Sequence, residues 1–157
     1  MVPVSRHLNV VRESNENYML RVAFSTSDGK TVNQHFGYAQ TIQIYGISMT
    51  QADLLSVAEF CDDMEHGEDK LQARIDYLDG CAAVYSYACG ASAVRRLITT
   101  GIQPIRVTEE APVHELIKAL QKEIKQGPGS WLAKAIEREK RLLGNTFSPM
   151  DSNSWEE

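Results

Sequence analysis

Residues 20–37 read LRVAFSTSDGKTVNQHFG, a short apolar run followed by a polar loop that ends in His35, Phe36 and Gly37. Leu20, Val22 and Phe24 occupy alternate positions, and this period of two predicts a half-buried strand. The turn-forming pair Asp28-Gly29 ends the run. We therefore expect a strand over residues 20–24 whose carboxyl end opens into a long loop over residues 25–37.

Residues 25–33 of this loop are mostly small and polar and have too few apolar side chains to pack on their own, yet the segment closes on residues 34–37 instead of becoming a linker. If the loop covers a binding site, we expect it to be a flexible lid. Long loops that keep specific aromatic and imidazole groups are usually functional. His35 stands beside Phe36, an apolar anchor, and Gly37, which permits close backbone approach. Imidazole is a common metal ligand, so His35 is a candidate ligand. A lone loop histidine is nevertheless more often a surface residue or a satisfied hydrogen-bond donor.

Length and composition predict one globular domain. The chain has 157 residues, of which 43% are hydrophobic and 24% are charged, both near the averages for globular proteins. The formal net charge of -5 argues against a general nucleic-acid binder, because contacts to phosphates require an excess of basic residues.

The sequence predicts a cytoplasmic protein with no membrane partner. No apolar run approaches the length of a membrane span, and the first residues lack the apolar core of a signal peptide. Cys61, Cys81 and Cys89 are odd in number and lack Cys-x-x-Cys spacing, so neither a disulfide framework nor a zinc knuckle is indicated. Free thiols suit a reducing compartment.

The order of the predicted elements is three strands, then alternating helices and strands. Period and turn residues place strands at 20–24, 41–47, 54–60, 81–89 and 103–107, and helices around 71–78, 90–101, 113–124 and 130–144. This order predicts an α/β fold with helices on a five-stranded mixed sheet. Because crossovers between parallel strands are right-handed, we expect the fourth strand beside and parallel to the first, with the last strand at an edge.

That pairing brings the loop at residues 25–37 to the same edge as Cys89 and residues 90–92. Ligands of open α/β sheets gather at such carboxyl ends. The helix after Cys89 offers unpaired N–H groups, with Arg95 and Arg96 one turn further on, which together outline an anion site. A helix N-terminus and nearby arginines lower a thiol pKa, so we expect Cys89 as a thiolate. Thiolate and imidazole together suit iron or an iron-sulfur cluster.

Several alternatives remain open at this stage. Cys89 is as often a small core residue as a ligand, and Cys61 and Cys81 are expected away from the site. A Cys89–His35 dyad would suit nucleophilic catalysis, but no oxyanion donor or orienting carboxylate can be assigned. A nuclease would need several converging carboxylates, and little beyond Asp28 is available. The glycine spacing fits no nucleotide-binding motif.

At these residues the chain resembles the dinitrogenase iron-molybdenum cofactor-binding family, the NifX/NifY/NafY family. The resemblance rests on the segments VAFS at 22–25 with Asp28, VNQHFG at 32–37 and IYG at 44–46. The segments DGC at 79–81, ACGASAVR at 88–95 and WLAKAI at 131–136 narrow it to the NifX branch. The similarity runs from about residue 20 to residue 141.

The resemblance implies a ribonuclease H-like three-layer fold without nuclease activity, and therefore no enzyme. It also implies a role in nitrogenase assembly, in which the protein binds NifB-co, an iron-sulfur precursor, or a later iron-molybdenum cofactor form. The cluster would be carried between NifB and the NifEN scaffold, with dinitrogenase components as further partners. The histidine of the family motif corresponds to His35 and the cysteine of NifX-like members to Cys89, both as transient metal ligands. The remaining expected cofactor contacts are Asn33, Phe36, Gly37, Gly90, Ala91, Ser92 and Arg95.

The predicted domain organisation has four parts. Residues 1–18 are expected to be a flexible leader, 19–126 the cofactor-binding α/β domain, 127–144 a C-terminal helix and 145–157 a flexible acidic tail. An alternative function is a protein-protein adaptor in nitrogenase maturation without a tight cluster site. In that case the basic terminal helix and Trp155 would dock a partner.

Overall fold

A computed structural model of the chain describes residues 4–9, 18–61 and 67–147. The main-sheet strands are β1 (Val4–Asn9), β2 (Leu20–Ser25), β4 (Thr41–Ile47), β5 (Ala52–Phe60), β6 (Ala83–Ser86) and β7 (Gln103–Arg106). Two short strands, β3 (Thr31–Val32) and β8 (Ala111–Pro112), form a separate pair. The helices are α1 (Gly67–Tyr77), α2 (Ala91–Thr100), α3 (Val113–Gln126) and α4 (Ser130–Phe147).

The order of strands in the main sheet is β1-β5-β4-β2-β6-β7. The strand β6 lies beside β2 and parallel to it, and β7 lies parallel to β6 at the edge. The strand β4 is antiparallel to both β2 and β5. The predicted mixed sheet of five strands, with the fourth strand beside the first, is therefore confirmed for β2, β4, β5, β6 and β7.

The sixth strand, β1, corrects the prediction of a flexible leader. Residues 4–9 pair antiparallel with β5 and extend the sheet at that edge. Edge pairing satisfies backbone N–H and C=O groups, so it requires little from the side-chain pattern. The other residues of the predicted leader, 1–3 and 10–17, and residues 148–157 of the predicted tail lie outside the described residues. The helix α4 extends past residue 144 to Phe147.

Two hydrophobic clusters lie on opposite faces of the sheet, which gives three layers. On one face α1 and α2 contribute Ile75 and Leu97 to a cluster. On the other face α3 and α4 contribute residues such as Leu120 and Leu132, and the latter is fully buried. Because α4 shares a cluster with α3 and β2, it packs as part of the same core.

The strand β2 is central and fully covered, whereas its sequence pattern indicated a half-buried strand. Leu20, Val22 and Phe24 join the cluster with α3 and α4, while Ala23 joins the cluster with α1 and α2. Ser25 is also buried at the strand end. The apparent alternation comes from Arg21, which is only partly buried, and from Ala23, which is fully buried but small.

Helix α2 follows its prediction except at one position. Gly101 adopts a left-handed φ of 93° and ends the helix as expected. Ala93 and Leu97 are buried, but Ile98, which the helical spacing of Val94, Leu97 and Ile98 predicts on the inward face, is 57% exposed. None of the helices in the described part of the chain is long and apolar enough to cross a bilayer.

Candidate functional site

Two loops meet at the carboxyl ends of the parallel strands β2 and β6. His35 forms a parallel bridge with Ala88, and the N–H of Phe36 donates to the Ala88 carbonyl at 2.9 Å. The N–H of Tyr87 donates to the Gln34 carbonyl at 3.3 Å. The prediction that the loop after the first strand meets the segment around Cys89 at one edge of the sheet is therefore confirmed.

Beneath these loops, two serine hydroxyls link the ends of β2 and β6. Ser25 Oγ and Ser86 Oγ are 2.9 Å apart, and both residues are buried. Each hydroxyl satisfies the other where no water is available, which fixes the two strand ends relative to each other. Sequence reasoning did not single out this pair, because the strand predicted over residues 81–89 placed Ser86 in its interior, whereas the observed strand ends at Ser86.

The loop between β2 and β4 is anchored, which corrects the expectation of a flexible lid. Val32 and Phe36 are fully buried, and they belong to clusters on opposite faces of the sheet. The strand β3 pairs with β8 just before α3. The loop side chains Val32 and Phe36 thus pack with residues of α1, α2 and α3, helices that come much later in the chain.

Asn33, a predicted cofactor contact, uses its side chain inside the loop. Its Nδ2 donates to Ser27 Oγ at 2.9 Å, and its Oδ1 accepts from the Ser27 N–H at 2.9 Å. The backbone N–H of Asn33 also donates to the Ser25 carbonyl at 3.3 Å. The structure therefore gives Asn33 the role of positioning the segment that leads to His35.

Asp28 organises the first half of the loop. Its Oδ1 accepts from the N–H groups of Thr31 at 3.0 Å and Lys30 at 2.8 Å. These two backbone donors, helped by the hydroxyls of Thr26 and Thr31, hold the pKa of the Asp28 carboxyl below its ordinary value of 3.8. The charged form is thus the one that the folded loop prefers.

The Asp28→Asn variant is expected to lower stability in a pH-dependent way. Because the pKa of Asp28 is lower in the folded state, its contribution is fully present above the unfolded pKa and is lost as pH falls through the folded pKa. Asparagine keeps an oxygen acceptor but not the charge. Urea unfolding should give a lower midpoint for the variant at pH 7, and the difference should shrink below about pH 4. A difference that persists unchanged at pH 3 would contradict this.

His35 is a half-buried side chain whose ring is held by its own loop. Its Nδ1 accepts from the N–H of Gly37 at 3.0 Å, and this contact begins a 3₁₀ turn over Phe36–Tyr38. Tyr38, which is 68% exposed, lies against the ring with a centroid separation of 5.0 Å. With Nδ1 as acceptor, the neutral imidazole carries its proton on Nε2, which is a donor. Sequence reasoning missed Tyr38, although it directly follows the His-Phe-Gly motif.

Arg74 of α1 fixes the far end of the same loop. The fully buried guanidinium donates from Nε and Nη2 to the Ala39 carbonyl, at 3.0 and 2.6 Å, and from Nη1 to the Lys70 carbonyl at 2.9 Å. It also lies 4.6 Å from the centroid of the Phe60 ring. Gln34 closes the segment, because its Oε1 accepts from the Gln40 N–H at 2.7 Å.

Cys89 lies at the predicted edge, but its surroundings differ from the expectation of a thiolate. Its side chain packs against the cluster beneath α1 and α2 and lines a cavity of about 250 Å³ with Ile98 and Arg106. Burial raises the pKa of the thiol. The expectation of a lowered thiol pKa at Cys89 is therefore wrong, because burial removes water from the thiol and disfavours its charged form. His35 is not among the residues that line this cavity.

The amino end of α2 has the open form that the sequence predicted. Gly90 is the N-cap and makes no side-chain capping bond, and nothing lies within 4 Å of the place where a Cβ would be. Ala91 and Ser92 are exposed in the first turn, where backbone N–H groups have no partner within the helix. Arg95 is exposed one turn further on, whereas Arg96 donates to the Gln72 side chain on α1.

Cys81 lies away from this edge, whereas Cys61 follows the carboxyl end of β5, which runs in the same direction as β2 and therefore ends at this edge, two strands away from β2. Cys81 precedes β6 at its amino end, and burial raises its pKa to about 12. Cys61 is exposed just after β5. Within residues 18–61 and 70–141, no three His, Cys, Asp or Glu side chains are grouped to hold a metal ion.

Comparisons with known proteins show the family to which the chain belongs. Residues 19–123 match the family model described as dinitrogenase iron-molybdenum cofactor. The chain is 47% identical over 154 residues to Protein NifX of Azotobacter vinelandii, covering 98% of each chain. It is 31% identical over 124 residues to Protein NifX of Sinorhizobium fredii, covering 74% of this chain and 78% of that protein. The family resemblance inferred from the sequence motifs, including its NifX branch, is confirmed.

One solved structure has a related fold. The crystal structure of PH0822 matches with a TM-score of 0.50 and 23% identity, covering 66% of this chain and 89% of that chain. At this identity the match bears on the fold alone, and it supports the α/β architecture.

Proposed function

Because the chain belongs to the dinitrogenase iron-molybdenum cofactor family, we propose that it binds NifB-co, or a later iron-molybdenum cofactor form, and carries it from NifB to the NifEN scaffold. The observation that carries this proposal is the meeting of the His35 loop and the Cys89 segment at one sheet edge. The cluster is cargo, bound transiently in the cytoplasm, and the protein is not an enzyme. Dinitrogenase components are further candidate partners.

Each predicted contact has a role in this proposal. His35 and Cys89 are the metal ligands, and the first-turn N–H groups at Ala91 and Ser92, with Arg95, face the negative charge of the cluster. Because Gly90 has no side chain, the cluster can come close to these backbone N–H groups. Phe36, Gly37 and Asn33 hold the imidazole in place. Two protein ligands and several weak hydrogen-bond donors would bind the cluster firmly enough to protect it and weakly enough to release it.

Capture requires proton movement at both ligands. The Nε2 of His35 can bind iron only after its proton leaves, which is easiest if Nδ1 gives up the Gly37 N–H and takes a proton itself. Cys89 must lose a proton whose pKa is raised by burial. We therefore expect cluster binding through Cys89 to release a proton and to tighten as pH rises.

The His35→Ala variant is expected to bind the cluster at least about tenfold more weakly, a loss of roughly 1.4 kcal/mol, while the fold remains intact. His35 is half-buried and contributes little to the core. Anaerobic titration of purified protein with isolated NifB-co measures the affinity, and circular dichroism checks the fold. His114→Ala is the matched control, because it removes an exposed imidazole on α3.

A second arm of the same titration uses Cys89→Ser, which should lower the affinity or change the absorption spectrum of the bound cluster. A spectrum identical to that of the wild type would indicate that Cys89 is a core residue and not a ligand. Unchanged affinity in both variants would contradict the carrier proposal. A chain that acquires no iron or sulfide during anaerobic co-expression with NifB would favour a protein-protein adaptor.

We also propose that the fold is ribonuclease H-like. Numbered in chain order, β2, β4, β5, β6 and β7 lie in the order 3-2-1-4-5. The second of these strands is antiparallel to its neighbours, and helices cover both faces. This strand order is what that architecture requires. An experimental structure whose closest architectural matches lack the 3-2-1-4-5 order would contradict it.

A further inference from the structure

A cavity of about 680 Å³ lies on the α3 side of the sheet, separate from Cys89 and His35. Residues 29–31 of the loop, the first turns of α3 and the turn between β4 and β5 surround it. Tyr45, Ala52, Val113 and Ile117 form its apolar wall. Its volume falls within the range of about 300 to 1,000 Å³ that is typical of small-molecule sites.

The charged side chains that line this cavity are all basic. They are Lys30 and Lys118; the imidazole of His114 also lines the cavity, and within the described part of the chain no carboxylate belongs to the lining. The chain as a whole has a formal net charge of -5, so this concentration of basic groups is local. It gives the cavity a charge complementary to an anion.

The amino end of α3 adds to that charge. The helix has 14 residues, and its N-cap, Pro112, makes no side-chain capping bond. The N–H of Val113 donates to the Lys30 carbonyl at 2.9 Å, which holds the loop against the helix start. Val113 and His114 of the first turn line the cavity, so the amino end of the helix lies at it, and Glu115, the acidic residue of the same turn, is not part of the lining.

The cavity is preformed by contacts among its own walls. Gln121 Nε2 donates to the carbonyls of Ser48 and Gln51 at 3.1 and 3.2 Å, which fixes the turn between β4 and β5 against α3. The Tyr45 ring packs edge-on to Phe24 at a centroid distance of 5.6 Å. Partial burial raises the pKa of Tyr45, so its hydroxyl stays neutral at physiological pH. A ligand would not need to organise the site.

We propose that this cavity binds a small organic anion, meaning an apolar body that carries a carboxylate or a phosphate. Lys30, Lys118 and the α3 amino end would bind the anionic group, while Tyr45 and Ile117 would contact the apolar body. An inorganic ion would leave the apolar wall without a partner, and a neutral molecule would leave the basic groups without one. This proposal is independent of cluster binding at His35.

The test is a nuclear magnetic resonance titration of the ¹⁵N-labelled full chain with phenylacetate and with phenyl phosphate. Benzyl alcohol, which lacks the charge, and inorganic phosphate, which lacks the apolar body, are the controls. At least one organic anion should cause saturable shifts at the amides of Thr31, Tyr45, His114 and Ile117, with at least about tenfold tighter binding than either control. The preferred anion distinguishes a carboxylate site from a phosphate site.

Variants assign the binding to this cavity. The double variant Lys30→Gln with Lys118→Gln should weaken the preferred anion at least about fivefold. Lys122→Gln, which removes an exposed lysine of α3 outside the lining, should leave it unchanged. The dispersion of the amide spectrum verifies folding. The proposal is overturned if neither organic anion gives saturable shifts, if benzyl alcohol binds as tightly, or if the double variant binds like the wild type.

Discussion

Arg74→Ala is expected to lower the free energy of unfolding by about 3 kcal/mol or more. The guanidinium is fully buried and donates to the carbonyls of Ala39 and Lys70. Alanine would leave the buried Ala39 carbonyl without these donors and would open a cavity beside Phe60. Chemical denaturation monitored by tryptophan fluorescence and circular dichroism measures the change.

Two further variants separate the guanidinium geometry from charge alone. Arg74→Lys keeps a positive charge but cannot donate from two nitrogens to the Ala39 carbonyl, so it should fall between wild type and alanine. Arg95→Ala removes an exposed guanidinium from α2 and should change stability by no more than about 0.5 kcal/mol. If Arg74→Ala were as mild as Arg95→Ala, Arg74 would not anchor the loop. The carrier proposal also expects Arg74→Ala to weaken cluster binding, because residues 34–40 position the imidazole.

Phe36→Ala should cost about 3 to 4 kcal/mol of stability, because it removes a fully buried ring from the cluster beneath α1 and α2. The substitution should also destabilise the loop around Phe36 locally. Phe36 donates its N–H to Ala88, and this contact joins the two loops of the candidate site. Amide hydrogen exchange at residues 33–38 should therefore become faster even under conditions in which the rest of the chain remains folded.

The neighbouring aromatic residue provides the control for Phe36. Tyr38 is 68% exposed, and Tyr38→Ala should change stability by no more than about 0.5 kcal/mol. Phe36→Leu keeps most of the buried apolar volume and should cost clearly less than alanine. Equal losses for Phe36→Ala and Tyr38→Ala would show that the loop does not depend on this ring.

Both predictions concern a loop whose anchoring could not be predicted from its own sequence. Between Asp28 and Gly37 the residues are mostly small and polar, which correctly predicted a loop and wrongly predicted a flexible one. The apolar partners of Val32 and Phe36 come from α1, α2 and α3, and the donor to Ala39 is Arg74. Contacts over such separations leave no local periodicity for sequence reasoning to detect.

The ionisation of Cys89 illustrates a second limit. Sequence reasoning recognised the helix end and the nearby arginines, both of which lower a thiol pKa. Desolvation raises the thiol pKa, by an amount that depends on how deeply the Cys89 side chain is buried between α2 and the sheet. In the structure the burial of Cys89 raises the pKa of its thiol, and the depth of that burial follows only from packing.

Local pattern and one general rule of topology were sufficient for the main architecture, because periods and turn residues act over short separations and the handedness of crossovers limits how parallel strands can be ordered. It placed β6 beside β2 and brought the His35 loop to the Cys89 edge, and the motifs at that edge identified the family. Packing between distant segments settled the rest: the edge strand β1, the anchoring of the loop, the hydrogen bond that occupies Nδ1 of His35, and the basic cavity beside α3. Each of these depends on which surfaces come into contact, and that is fixed when the chain folds in three dimensions.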